Sequence, residues 1–223
     1  FVELAKGHID ILQIRPHSVE YVHNMGFEPP LPTAEAAKAA HEAAKGEILI
    51  SSVSGYCHPD LAEAALDPEH GYLDLVGMTR AFITNPEWGK LCKEGRGEDI
   101  VPCVKCNKCH RNSYAAPHLG VCSVNPLYGR EHRIDYLKNP VTEAKNLAIV
   151  GGGPAGMRAA LFAAENGHRV TLFEKTDRLG GLLNINEFCS FKWPVWNYTK
   201  WLVEQVNKNP RIDVRLNTEA TRD

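Results

Sequence analysis

The sequence predicts an α/β fold: two parallel-sheet units with a cysteine-rich loop between them. Three observations carry the prediction. Short β-rich apolar runs alternate with helical patterns through the first part of the chain, and a glycine-rich turn at 151–156 follows a strand and opens a helix. Between the two stand Cys103, Cys106 and Cys109, followed by Cys122. Strands that alternate with helices imply βα units and a parallel sheet.

In chain order, residues 9–14 are a β-rich run, and residues 32–45, rich in alanine with Glu and Lys at helical spacing, predict a helix. A strand follows at 47–52, a helix at 59–66 and a third strand at 73–77. Three such units in about 90 residues fit a doubly wound sheet or the last part of a (β/α)8 barrel, which needs roughly 250 residues in all. Two strand ends favour the barrel. One ends in Ser52-Val-Ser54-Gly55 and the next in Gly77-Met-Thr79-Arg80. Small residues there let backbone N–H groups approach a phosphate, and Arg80 can add a charge-assisted bond. Barrels commonly carry a phosphate site after strands 7 and 8, which would make these strands 6, 7 and 8. A glycine after a strand is also an ordinary turn. His17 lies in the loop after the first strand, where barrels place catalytic residues, and histidine titrates near neutrality. A solvated loop histidine is the plainer alternative.

Cysteines at i, i+3 and i+6 cannot all pair with one another, and they crowd three sulfurs into one tight loop. Such a loop can wrap three corners of a cubic iron–sulfur cluster, with Cys122 closing the fourth. Four thiolates also suit tetrahedral zinc, usually as two separated Cys-x-x-Cys pairs, and the three-plus-one grouping favours iron and sulfur. A disulfide framework has no secretory context to support it. Cys57, Cys92 and Cys189 are scattered and read as buried or free thiols of a reducing compartment.

Residues 131–145 are polar and read as a linker. Beyond them a strand at 146–150 runs into Gly151-Gly-Gly153-Pro154-Ala155-Gly156, then a helix at 157–166 and a strand at 168–173 that ends in Glu174-Lys175. The step from Gly151 to Glu174 is 23 residues, near the ~20 expected of a dinucleotide-binding unit. Gly151 permits the tight turn, Gly153 clears space for a pyrophosphate on the helix end, Gly156 lets helix and strand pack, and Glu174 accepts from ribose hydroxyls. Gly181, in Leu179-Gly180-Gly181, offers another close backbone approach. A helix at 194–208 and a strand at 211–216 follow, with Trp193, Trp196 and Trp201 read as packing residues.

The 223 residues are 43% hydrophobic and 23% charged, ordinary for a globular protein, and the net charge of −2 gives no basic footprint for nucleic acid. No apolar run approaches the ~20 residues of a membrane span, and no signal peptide opens the chain. The expectation is a soluble, cytoplasmic protein. Phe1 opens what reads as mid-helix and the end follows a strand-like run, so a fragment of a longer chain is expected.

Three motifs taken together resemble one family: Gly77-Met-Thr79-Arg80-Ala-Phe-Ile-Thr-Asn-Pro86, the four cysteines with Cys122-Ser-Val-Asn-Pro126, and Gly151 to Gly156. Over nearly the whole chain they look like the flavin and iron–sulfur oxidoreductases related to old yellow enzyme. That family includes the bacterial 2,4-dienoyl-CoA reductases, the clostridial enoate and bile-acid-inducible reductases, and trimethylamine dehydrogenase. The cysteine spacing is similar to that of trimethylamine dehydrogenase; the dienoyl-CoA reductases have one more residue between the second and third cysteines.

The resemblance implies FMN in a barrel of which residues 1–100 are the C-terminal part, with its phosphate at Ser54, Gly55, Gly77, Thr79 and Arg80. It implies a 4Fe–4S cluster on residues 101–130, held by Cys103, Cys106, Cys109 and Cys122. It implies FAD, or ADP, on a Rossmann-like domain at 146–223, against Gly151, Gly153, Pro154, Ala155, Gly156, Glu174, Lys175 and Gly181. Electrons would pass from NAD(P)H to FAD, cluster and FMN, and hydride would reach the β-carbon of an unsaturated carbonyl compound. His17 falls where the family carries a histidine after strand 6, although Arg15-Pro-His17-Ser departs from the family pattern. Thr79 stands where glycine or another small residue is usual. Two other readings stay open, an amine dehydrogenase that sends electrons outward and a zinc-binding module without redox work. A homo-oligomer fits either enzymatic reading.

Overall fold

The computed structural model describes residues 1–15, 30–53, 55–109, 120–133 and 141–221. The chain divides into two compact units, Phe1–Asn125 and Pro126–Asp223, so the cysteine loop belongs with the first.

In the first unit, a short helix α1 (Val2–Ala5) precedes three parallel strands, β1 (Ile11–Ile14), β2 (Leu49–Val53) and β3 (Leu75–Gly77), in spatial order β1-β2-β3. Helix α2 (Ala34–Ala44) crosses from β1 to β2, and α3 (Pro59–Leu66) from β2 to β3. Alanine dominates α2 because it costs no side-chain entropy in a helix and lets it lie close to the sheet. Ala37, Ala40 and Ala44 form its buried stripe. The helix stops where Lys45 turns left-handed at φ 51° and its N–H donates to the His41 carbonyl, with Gly46 left-handed after it. In α3, Pro59 takes the first helical position, where its missing N–H costs nothing.

The core under the sheet gathers Ile48, Ile50, Tyr56, Ala65 and Leu73. Asp74 ties β2 to the start of β3: its Oδ2 accepts from the Ile50 N–H at 2.7 Å, and its own N–H donates to the Ile50 carbonyl at 2.9 Å. Register pairs Ile11 with Leu49 and Ser51 with Leu75. Alternation therefore puts Ile11, Leu49 and Leu75 on the face away from the helices, where they are 50%, 44% and 43% exposed. A parallel sheet is normally buried on both faces, so this apolar face is one built to be covered.

Beyond β3 the chain makes two short helices that the apolar periodicity did not announce, α4 (Arg80–Thr84) and α5 (Trp88–Lys93). The Trp88 indole N–H donates to the Cys57 carbonyl at 3.1 Å, and its ring meets Phe82 edge-on.

The second unit repeats the strand–helix alternation. Strands β4 (Asn146–Val150), β5 (Arg169–Phe173) and β6 (Ile212–Arg215) are parallel, with β5 between the others. Helix α6 (Pro154–Glu165) joins β4 to β5, and α7 (Trp193–Lys208) leads to β6. Met157, Ala160, Leu161 and Ala164 of α6 and Leu202 and Val206 of α7 are buried with Val170 and Leu172. The three tryptophans expected to pack in α7 are only half-buried. Tyr198, Leu202 and Val206 take the core positions, and Trp201 stacks on Tyr198 from outside. Residues 181–188, read only as a glycine approach, wind into a 3-10 helix. Most element ends lie within two residues of the expected ones, the ordinary fraying of termini.

Candidate cofactor sites

The turn from β4 to α6 is built around backbone that only glycine tolerates. Gly151 adopts φ 98°, and its N–H donates to the Phe173 carbonyl of β5 at 2.8 Å. A Cβ on Gly156 would strike the Gly151 carbonyl oxygen, so the first turn of α6 lies directly against the loop. A Cβ on Gly181 would come within 3.0 Å of the Gly153 Cα. Gly153 is the N-cap of α6, and no side chain caps that end. The first-turn N–H groups are thus directed at whatever lies before the helix, the arrangement that receives a phosphate. Pro154 holds the first helical position, and Ala155 is exposed beside it.

Glu174 ends β5 and is buried at 8% exposure. Its Oε2 accepts from the Gly152 N–H at 2.7 Å, and its Oε1 from the Thr176 N–H and hydroxyl, both at 2.9 Å. The Thr176 N–H, ahead of desolvation and helped by Gly152, holds this carboxyl below the usual range. The residue expected to meet a ribose is therefore also the clamp of the glycine turn, which spacing alone does not reveal. Lys175 is exposed next to it.

Glu174→Gln replaces an acceptor with an NH2 group that must face one of these N–H donors, and it should cost about 2 kcal/mol at pH 7. A depressed pKa in the folded state contributes stability above the unfolded value, and that stability is lost as pH falls through the folded value. The gap between wild type and E174Q should accordingly narrow below about pH 4. Urea unfolding across that range measures it; a gap independent of pH would deny the carboxylate this role.

In the first unit, Cys103, Cys106, Cys109 and Cys122 line one pocket together with Arg80 and Asn107. Two non-glycine residues in left-handed conformation, Lys105 at φ 50° and Asn107 at φ 57°, fold the loop back on itself. The Lys105 N–H lies 3.4 Å from the Cys103 sulfur, and the Ser123 hydroxyl lies 3.2 Å from that of Cys106. The loop is docked on α4 at two points. Arg80 Nη1 donates to Asn107 Oδ1 at 3.2 Å, and Asn125 Nδ2 donates to the Ile83 carbonyl at 2.7 Å. Asn125, the fourth residue of the Cys-Ser-Val-Asn-Pro motif, fastens the far side of the loop. Burial pushes the Cys103 thiol up to about 12, the neighbouring Cys57 adds to it, and the Lys105 N–H and Arg80 oppose it. Burial likewise raises Cys109, against Arg80. Thiols held protonated this way give up their protons when a metal takes their place. Cys106 is exposed whereas Cys103 is not, so in iron-free protein a maleimide should label Cys106 well before Cys103, as peptide mass mapping would report.

Among the described residues, no three His, Cys, Asp or Glu side chains converge as a single ion would need. One tetrahedral zinc holds four sulfurs at ≈ 2.3 Å from one point. The cysteines share a pocket without being drawn in that tightly.

Gly55 and Gly77 lie at the ends of adjacent strands, as the phosphate reading requires, but packing also explains both. A Cβ on Gly77 would strike Val53 Cγ1, its register partner, and Gly55 adopts φ 101° against the Pro30 carbonyl. Thr79 is exposed at the N-cap of α4. His17 and Ser54 lie outside the described residues.

A model of the FAD dependent oxidoreductase family matches residues 146–209. The chain is 36% identical over 163 residues to an NADH oxidase of Thermoanaerobacter brockii, covering 73% of this chain and 24% of that protein. It is 31% identical over 204 residues to an N,N-dimethylglycine/sarcosine dehydrogenase of Chromohalobacter salexigens, covering 89% and 28%. Among solved structures, a 2-naphthoyl-CoA reductase in complex with 2-naphthoyl-CoA superimposes with a TM-score of 0.86 at 31% identity, over 99% of this chain and 34% of that one. Sequence and fold together put the chain among the flavin-dependent oxidoreductases. Within that class it is a relative of the 2,4-dienoyl-CoA reductases and the other enzymes related to old yellow enzyme, as the motifs implied. It spans about a quarter of the length of the curated relatives it matches, 24% and 28% for these two. Among the described residues no helix is long and apolar enough to cross a membrane.

Proposed function

We propose that this chain is the electron-carrying part of an NAD(P)H-dependent flavin and iron–sulfur oxidoreductase that reduces an activated C=C bond in an enoate, enoyl-CoA or enone. The observation that carries the reading is the cysteine pocket: four thiols grouped three plus one in sequence line a single pocket, beside the helix that follows the glycine end of a parallel strand. When bound, FAD would accept hydride from the nicotinamide, the cluster would relay single electrons, and FMN would deliver hydride to the substrate.

Each step asks something definite of the protein. Cys103, Cys106, Cys109 and Cys122 supply four thiolates, and the bonds from Arg80 and Asn125 hold their loop in place. Gly151 makes the turn, Gly156 lets the start of α6 lie against it, and the uncapped first-turn N–H groups beyond Gly153 would receive a pyrophosphate with Gly181 close by, while Glu174 both clamps the turn and presents remaining lone pairs to a ribose. Ser54, Gly55, Gly77, Thr79 and Arg80 form the phosphate end of the FMN site. The open apolar face of β1, β2 and β3 supports the barrel, since in a closed barrel that face is the filled interior. His17 would hold the proton destined for the α-carbon.

The dehydrogenase relative supports a second reading, oxidation of an amine with electrons passed outward. Anaerobic stopped-flow mixing of the full-length enzyme with NADH separates the two. Flavin bleaching within seconds, reversed by cinnamate or a similar enone, is expected; flavin that stays oxidised with NADH and bleaches with a methylated amine would reverse the assignment. Zinc without iron in the purified protein would favour the zinc-module reading of the cysteine loop and take the cluster out of the electron path.

A further inference from the structure

Arg80 does more than open α4. Arg80 lines the pocket that all four cysteines line, and its Nη1 donates at 3.2 Å to Oδ1 of Asn107, a residue of the same pocket that sits in the loop between Cys106 and Cys109. An arginine does not lose its proton in proteins, so this charge is constant with pH.

We propose that Arg80 sets the reduction potential of the cluster held by Cys103, Cys106, Cys109 and Cys122. The inference rests on the cluster reading above. A cube with four thiolates is already anionic, and its one-electron reduction adds one more negative charge. A cation fixed in the pocket wall stabilises the reduced state more than the oxidised one and raises the potential, net charge being one of the levers on such clusters. Arg80 touches no reacting atom in this role; it is a positioning residue that works through its field, and the bond to Asn107 fixes its direction.

The test uses full-length holoenzyme as wild type, R80Q, R80M and R80K, each assayed for iron, sulfide and flavin. Dithionite titration with mediators, followed by the EPR signal of the reduced cluster, gives the potential. A variant that loses flavin is compared with flavin-stripped wild type. Glutamine can still donate to Asn107, so R80Q removes the charge while keeping the loop tied. R80Q is expected to shift the one-electron equilibrium about tenfold toward the oxidised form, a fall of about 59 mV, and R80K to recover most of it. Iron-loaded R80Q at the wild-type potential would overturn the proposal, as would R80K falling as far as R80Q. If R80Q does not load iron, R80M is read in its place; failure of both neutral variants while R80K loads would make Arg80 an assembly residue and overturn it too. Wild type without iron would instead sink the cluster reading, before any variant is measured.

Discussion

On the proposed reading, Cys106→Ser should leave flavin on the full-length protein while stripping iron from the cysteine loop and cutting the passage of electrons from NADH to the substrate-reducing flavin. A serine oxygen is a harder donor than a thiolate and suits an iron–sulfur site poorly. Losing even an outer-shell partner of a metal ligand costs about 10–100-fold in affinity or activity, and a direct ligand should cost more. The position is also exposed, so the exchange disturbs no packed core, and the unfolding midpoint of the second unit should not move. Iron analysis, flavin content and stopped-flow reduction by NADH measure the three effects separately. Rapid reduction of both flavins in iron-free C106S would take Cys106 out of the electron path.

Gly156→Val is expected to have the largest effect on the second unit. The first side-chain carbon would already strike the Gly151 carbonyl oxygen, which is backbone and cannot swing aside. Overpacking a tight contact costs about 1–3 kcal/mol, and the two further methyl groups put valine at the top of that range. The only relief is to lift the start of α6 away from the turn, which also carries the first-turn N–H groups away from a pyrophosphate. Roughly 3 kcal/mol corresponds to about a hundredfold in dinucleotide affinity. The flavin-to-protein ratio after gel filtration and the thermal unfolding midpoint read the outcome; wild-type values for both would mean that this contact does not shape the site. Gly156→Ala should fall between the two.

These two substitutions differ in how much of their rationale is visible in the chain. Cys106 is recognisable from spacing, because three cysteines at i, i+3 and i+6 have few chemical uses. What spacing could not supply is how the loop is held. Asn125 reaches the Ile83 carbonyl across 42 positions, and Arg80 reaches Asn107 across 27. Contacts that distant in sequence leave no periodic trace. Gly77 shows the same limit from the other side. Its place after a strand suggested room for a phosphate, and the structure adds a packing reason, the Val53 side chain opposite. Helix α4 leaves no signal in the sequence because five residues are too few to display a 3.6-residue period.

The sequence by itself determined the order of the strands and of the long helices, the parallel sense of both sheets, the strand–turn–helix around Gly151 and the grouping of the cysteines. All of these follow from local conformational preference and from repeats only a few residues long. Tertiary structure alone decided that Glu174 clamps the glycine turn as well as ending a strand, that Tyr198 rather than the tryptophans fills the core of its helix, and that Arg80 joins the four cysteines around one pocket. Each of those depends on which side chain meets which backbone group once remote segments are packed, and a buried donor or charge takes whichever partner the fold brings within reach.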